Sequence, residues 1–296
     1  MSSDKATMPR HKSPPPLMEK VDRLGWEFGF TLKSYGVKLG VRVNDPLALE
    51  QVHAYLPAGW QRANGAAVDR LYSIQVGGNS AHANGRRFST VYADDLRIIR
   101  SRNLAEVLER FESDLRLFVG EWTRHRVFVH AGVVGWKGRA IVIPGRSFSG
   151  KTSLVAELVK AGASYYSDEY ALFDRNGFVH PFSKPLDIRR EGDHKQRRTP
   201  VEELGGKAGT KPLPVGIVLM TGYKKGAKWR PRKISPGKGV LELLFNTVCA
   251  RRSPELALAT LQQVTRQAVV LKGARGETSE IVESLLKRMN AIAQRK

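Results

Sequence analysis

The sequence predicts an α/β chain in two parts. An α+β N-terminal domain covers residues 21–125, and a domain built around a strand, a glycine-punctuated loop and a helix covers residues 126–296. Three observations predict it. Polar and apolar residues alternate in strand fashion through much of the first hundred residues. A long helical pattern then closes that part. Finally "VIPGRSFSGKTSLVAELV", residues 142–159, passes from an apolar strand into a loop ending in Gly-Lys-Thr and on into an amphipathic helix.

The elements follow in order. Residues 1–20 read as a basic, proline-rich mobile tail without the apolar core of a secretory signal. "WEFGFTLKSYGVKLGVRV" alternates as strands, with Gly36 and Gly40 expected at bends. In "NDPLALEQVHAYLP", Asn44 or Asp45 is a candidate N-cap and Pro46 fits the first turn of a short helix. "RLYSIQVG" and "RFSTVYA" are strands separated by the polar loop "GGNSAHANG". In "NLAEVLERFESDLRLFVGEWTRH", Leu104, Val107, Leu108, Phe111, Leu115, Phe118 and Trp122 fall on one helical face.

"RVFVHAGVVGWKGRAIVIPG" reads as a hairpin turning at "GWKG", and its second strand delivers the chain into the loop. Beyond the loop's helix, "ASYYSDEYALFD" reads as one strand, "NG" at 176–177 as a turn, and "FVHPFSKPLDIR" as an extended stretch. "PVGIVLM" reads as a buried strand. "GVLELLFNTVCA", "SPELALATLQQVTRQA" and "ETSEIVESLLKRMNAIA" carry three helical patterns.

The loop carries the chemistry. Gly145-Arg146-Ser147-Phe148-Ser149-Gly150-Lys151-Thr152 fits G-x-x-x-x-G-K-[ST] without a mismatch, and Ser153 follows in the first helical turn. The glycines let the backbone turn tightly and bring its N–H groups close to oxygen anions. The positive end of the helix adds to that field. Lys151 is placed to reach the β- and γ-phosphates of a nucleotide, and the Thr152 hydroxyl to ligate Mg²⁺. ATP and Mg²⁺ are therefore the expected cofactors. A metal-side carboxylate is needed, and Asp168 and Glu169 lie 17 and 18 residues past Lys151. Neighbours in a strand point to opposite faces, so one carboxylate is expected to face the nucleotide unless the strand bends. His130 lies in the alternating strand "FVHAGVV", 15 residues before Gly145.

Composition sets bounds. The net charge is +21 over 296 residues, and residues 189–252 hold 16 Lys/Arg against 5 Asp/Glu. Such a field attracts nucleotides, nucleic acid, anionic lipid or acidic partners. "YKKGAKWRPRK" sets Tyr223 and Trp229 among basic residues. That composition suits single-stranded nucleic acid, but a solvated hairpin with its aromatics packed on its own base suits it better. The lone Cys249 excludes an internal disulfide, reads as a buried thiol, and leaves the cytoplasm as the default compartment. No apolar run approaches the ~18 to 20 residues of a membrane span.

Together, His130-Ala131-Gly132, the turn at Lys137-Gly138, Gly145 to Thr152, Gly162 and Ser167-Asp168-Glu169 resemble the catalytic domain of the bifunctional HPr kinase/phosphorylase family, and more closely its HprK-related kinase branch. The resemblance covers about residues 126–190, extends weakly to the helical C-terminus, and does not cover residues 21–125. It implies that family's P-loop kinase core, similar also to phosphoenolpyruvate carboxykinase. It further implies Asp168 as the general base that takes a proton from an attacking serine hydroxyl, and His130 as the group that tunes the acidic pair. In "LDIRREG" it implies Asp187 as a second Mg²⁺ ligand and Arg189 as a phosphate clamp. A homo-oligomer is implied too.

The chain departs from the family at Glu169, where the family has a second Asp, and in the trimmed signature after Arg189. HPr itself and phosphorolysis are therefore not expected. The leading reading is an ATP- and Mg²⁺-dependent kinase acting on a hydroxyl of a protein or small molecule. The alternative is a nucleotide-binding regulator or assembly factor with little catalysis. A basic, nucleic-acid-associated NTPase ranks last.

Overall fold

The computed structural model describes residues 16–57, 59–65, 67–77, 87–145, 150–189 and 196–294. It shows a mixed α/β chain in two compact units, Met1–Arg116 and Leu117–Lys296. Among the described residues no helix is long and apolar enough to cross a membrane.

The first unit contains α1 (Pro16–Asp22), β1 (Phe28–Ser34), β2 (Val37–Val43), α2 (Pro46–His53), β3 (Gln61–Ala63), β4 (Arg70–Gln75), β5 (Ser89–Ala93) and β6 (Leu96–Ser101). The strands form one sheet in the order β3-β1-β2-β4-β5-β6, with only β2 and β4 parallel. Tyr35 and Gly36 turn β1 into β2 with φ of 47° and 90°, the left-handed pair that matches strand twist. α2 starts at Asp45, whose carboxylate accepts the Leu47 N–H at 2.8 Å, with Pro46 in the first turn. α3 (Leu104–Trp122) begins here, and its Phe111 ring meets Tyr72 edge-on at 5.1 Å.

Some expectations need correcting. Residues 16–20, expected as tail, open α1, where Val21 is buried and its carbonyl accepts the Trp26 indole N–H at 2.7 Å. The earlier part of the tail lies outside the described residues. Gly40 is not at a bend but inside β2, paired with Thr31. A Cβ there would lie 2.8 Å from Leu71 Cδ1, so glycine admits the leucine of the neighbouring strand. β3 and β6 were missed. Both are short and poorly buried, and so lack the apolar alternation that marks a strand.

The second unit contains β7 (Val127–Trp136), β8 (Arg139–Pro144), α4 (Lys151–Lys160), β9 (Ser164–Ser167), β10 (Tyr170–Phe173), β11 (Phe178–His180), β12 (Leu186–Arg189), β13 (Gln196–Thr199), β14 (Leu213–Tyr223), β15 (Arg232–Lys233), α5 (Pro236–Leu244), α6 (Pro254–Gln267), β16 (Val269–Arg275) and α7 (Ser279–Ala293). Its main sheet runs β11-β10-β7-β8-β14-β16-β15, and β9 also pairs with β7. The central strands β8, β14 and β16 are parallel. β7 turns into β8 through Lys137 and Gly138, both at positive φ. α4 ends at Ala161, and Gly162 follows with φ of 97° as the left-handed C-terminal residue.

Period-2 alternation gives this sheet two cores. Ile141, Ile217, Leu219 and Leu271 face Leu154 and Leu158 of α4 and Leu285 of α7. Val142, Val218, Met220 and Val270 face Val240 of α5 and Leu261 of α6. Each buried aliphatic side chain contributes roughly 1.5–3 kcal/mol. This clamps the strand ends from which the site is built.

Three elements differ from the sequence reading. The "ASYYSDEYALFD" strand breaks into β9 and β10. "GVLELLFNTVCA" is not one helix: α5 stops at Leu244, and Val248–Arg251 form a 3₁₀ turn. β16 was not foreseen, although "VVLKGAR" is a short apolar, β-branched run bounded by glycine.

Candidate functional site

β8 and α4 hold the two ends of the glycine loop. The Gly145 N–H donates to the His130 carbonyl at 3.1 Å, tying the loop's start to β7. At the other end Gly150 takes φ 78°, ψ 17°, and caps α4 without any side-chain hydrogen bond. A helix start of this kind presents backbone N–H groups and the positive end of the helix dipole, which favour anions. Arg146, Ser147, Phe148 and Ser149 lie outside the described residues. Ser153 is exposed on the first turn of α4.

The acidic pair sits at a bend. Ser167 Oγ accepts the N–H groups of Glu169 at 3.2 Å and Tyr170 at 3.0 Å, which breaks the strand. The Glu169 carbonyl still accepts the Ala131 N–H at 3.1 Å, so the bend stays on β7. In a straight strand Asp168 and Glu169 would point apart. Here both carboxylates act on Lys151. Burial pushes the Lys151 ammonium below its ordinary pKa, and the charges of Asp168 and Glu169 oppose that shift.

Asp168 is 8% exposed. The Thr152 hydroxyl lies 3.3 Å from Asp168 Oδ2 and donates to it. Burial raises the Asp168 pKa, the Lys184 ammonium opposes the rise, and Asp187 and Glu169 add to it. The Tyr165 hydroxyl lies 2.8 Å from the Lys184 carbonyl and 3.3 Å from Asp168 Oδ1. It has one hydrogen, and the shorter contact is to the carbonyl.

His130 lies on the same strand face as Gly132, whose added Cβ would meet Val155 and Lys151 of α4. Its ring packs on Tyr170 at 4.6 Å. Burial lowers its pKa, Glu169 opposes this, and Lys151 lowers it further, so the imidazole is neutral near pH 7. Among the described residues the ring makes no hydrogen bond to Asp168.

Sequence reasoning missed Lys184. Its Nζ lies 3.3 Å from Glu169 and 3.0 Å from Asp187. Burial alone would lower its pKa, but Glu169, Asp187 and Asp168 together raise it above the ordinary lysine value. "SKPLD" carries no spacing that marks such a bridge. Arg275 was missed with β16, and its Nη2 donates to the Gly150 carbonyl at 2.8 Å. The backbone of Arg189 ends β12, but its side chain lies outside the described residues.

The residues expected to hold Mg²⁺ are thus divided. Thr152 and Asp168 place two hard oxygen donors side by side, which suits one Mg²⁺. Glu169 and Asp187 are engaged by the Lys184 ammonium. Among the described residues no group of three or more His, Cys, Asp or Glu is gathered as a ready metal cage. Mg²⁺ that keeps several waters needs only one or two carboxylates.

Across β8 from Asp168, a cleft of about 730 Å³ opens at the ends of β14 and β16, bordered by Gly145, Thr221, Arg230, Arg232 and Lys272. Glu242 on its wall is ion-paired with Lys272. The two aromatic residues of the basic segment are placed differently. Trp229 packs, partly buried, against the core that α4 and α7 share, and the Tyr223 hydroxyl donates to Glu277 at 2.9 Å.

No protein-family model matches the chain, and no curated protein matches it. Among solved structures, the Hpr(Ser) kinase/phosphatase from Coxiella burnetii is weakly similar, with a TM-score of 0.31 and 12% identity over 57% of this chain and 99% of that one.

Proposed function

We propose that this chain is an ATP- and Mg²⁺-dependent phosphotransferase that moves the γ-phosphate to a hydroxyl group. One observation carries the reading. A buried Asp168 accepts the hydroxyl of Thr152, beside Lys151, at the start of α4. Lys151 and the amides of α4 hold the phosphates. The cleft beside Gly145 takes the nucleoside end, because it lies across β8 from Asp168. The acceptor then approaches from the Asp168 side.

Thr152 and Asp168 would hold Mg²⁺, which supplies positive charge to the phosphates when bound. An Asp168 oxygen takes the proton of the attacking hydroxyl. The neutral His130 ring and Tyr170 shield this side from water. Lys184 holds Glu169 and Asp187 in place.

The test follows the label of γ-labelled ATP with Mg²⁺ and cell extract split into protein and small-molecule fractions. Label in one fraction, lost in Asp168→Asn and Lys151→Ala, is expected. Transfer retained by Asp168→Asn would remove the general-base role. The engagement of two carboxylates by Lys184 favours one second reading, a nucleotide-binding regulator. For that reading ATP raises the melting temperature and no phosphorylated product forms.

A further inference from the structure

We propose that Arg275 is a phosphate-binding residue, supplying a second cation beside Lys151 to the anion site at the start of α4. The proposal rests on the nucleotide-binding reading above and adds a residue that no motif marks.

Arg275 ends β16 and is 3% exposed. A guanidinium stays charged under all ordinary conditions, so burying one calls for an opposite charge. Among the described residues it has no ion pair. Nη2 donates to the Gly150 carbonyl at 2.8 Å and Nη1 to the Gly276 carbonyl at 3.3 Å. Nε is buried and has no hydrogen-bond partner among the described residues. The Glu277 carboxylate acts on it electrostatically without an ion-pair contact and accepts the Tyr223 hydroxyl at 2.9 Å, and the Tyr223 ring lies 5.8 Å from the guanidinium.

The position of this charge, which no carboxylate contacts among the described residues, points to its ligand. A Cβ added to Gly150 would sit 2.3 Å from Nη2, so the guanidinium lies against the N-cap of α4. Gly150 brings no side chain to the start of α4, so the guanidinium stands beside the positive end of that helix. A planar fork of N–H donors beside helix amides matches the tetrahedral oxygens of a phosphoryl group. Phosphate, either free or as part of a nucleotide, supplies a counter-charge in direct contact. Packing alone does not explain the residue, since an uncharged side chain would fill the site without the desolvation cost.

The test compares the full-length wild type, Arg275→Gln and Arg275→Lys. Melting temperature is measured without ligand, and affinity is measured for pyrophosphate and for Mg·ATP. The expected result has three parts. Arg275→Gln without ligand melts no lower than the wild type. It binds both probes at least about tenfold more weakly. Arg275→Lys, which keeps the charge, recovers most of the lost affinity and remains informative should the glutamine variant fold poorly. Binding of both probes by Arg275→Gln to within about twofold of the wild type would overturn the role of Arg275 and leave the nucleotide reading standing. A lowered melting temperature in both variants, with affinities equally reduced, would make Arg275 a structural pin only. A wild type that binds neither probe would bring down the nucleotide reading and this proposal with it.

Discussion

At the residue scale, Asp168 and Lys184 have opposite pH signatures. The folded pKa of Asp168 is raised, so its contribution to stability is present below its unfolded value and is lost as pH rises through the folded value. At neutral pH the charged form is therefore a burden, and Asp168→Asn should melt higher than the wild type while losing transfer. Its titration should also place the acid limb of kcat/KM above the ordinary carboxylate range. A limb at the usual value, read from a pH–rate profile, would contradict this. The folded pKa of Lys184 is raised too, but by carboxylates that favour its charge. Its contribution is full below the unfolded lysine value and is lost as pH rises through the folded one. Lys184→Met should cost about 2 kcal/mol in urea unfolding at pH 7. It should also move the Asp168 acid limb further up, because a charge that lowers the Asp168 pKa has gone. Lys151, Thr152 and Asp168 were legible from their spacing. Lys184 was not, because its role depends on two carboxylates reached by a turn in the chain.

At the element scale, the bend after β9 and the approach of α4 to β7 decide whether these groups meet. Ser167→Ala removes the acceptor of two backbone N–H groups, with an expected cost of about 1–2 kcal/mol. It also lets Asp168 and Glu169 revert to opposite faces, so transfer should fall by more than stability does. Comparing initial rates with urea midpoints checks this, and a parallel fall would show that the bend serves folding alone. Gly132 tests the other approach. An added Cβ would lie 2.6 Å from Val155 Cγ2, so Gly132→Ala overpacks β7 against α4 by about 1–3 kcal/mol. Combining it with Val155→Ala makes room again. The pair should be less destabilised than the sum of the single variants, as a double-mutant cycle measures. The sequence reading placed both strands and the helix. It did not place the break at Asp168, because a run of Tyr, Ser and acidic residues has no periodicity that reports a side chain bonding its own backbone.

At the scale of the whole molecule, each of the two units carries its own sheet and core. Calorimetry should therefore resolve two transitions, and Mg·ATP should raise only the one belonging to Leu117–Lys296, since a ligand stabilises the unit whose folded form it binds. A single transition that shifts as one would sink this expectation. The sequence by itself determined the local features: the hairpin at Lys137-Gly138, the helix after the glycine loop, its left-handed end at Gly162, and the Gly-Lys-Thr order. These follow from short-range rules of turns, caps and periodicity, which act within a few residues. Only the tertiary structure decided that the Lys184 ammonium would bridge Glu169 and Asp187, that Trp229 would pack inward, and that β16 would bring Arg275 against Gly150, 125 residues earlier in the chain. Those meetings depend on sheet order and on which face each strand turns to its neighbour, and non-local pairing leaves no local pattern to read.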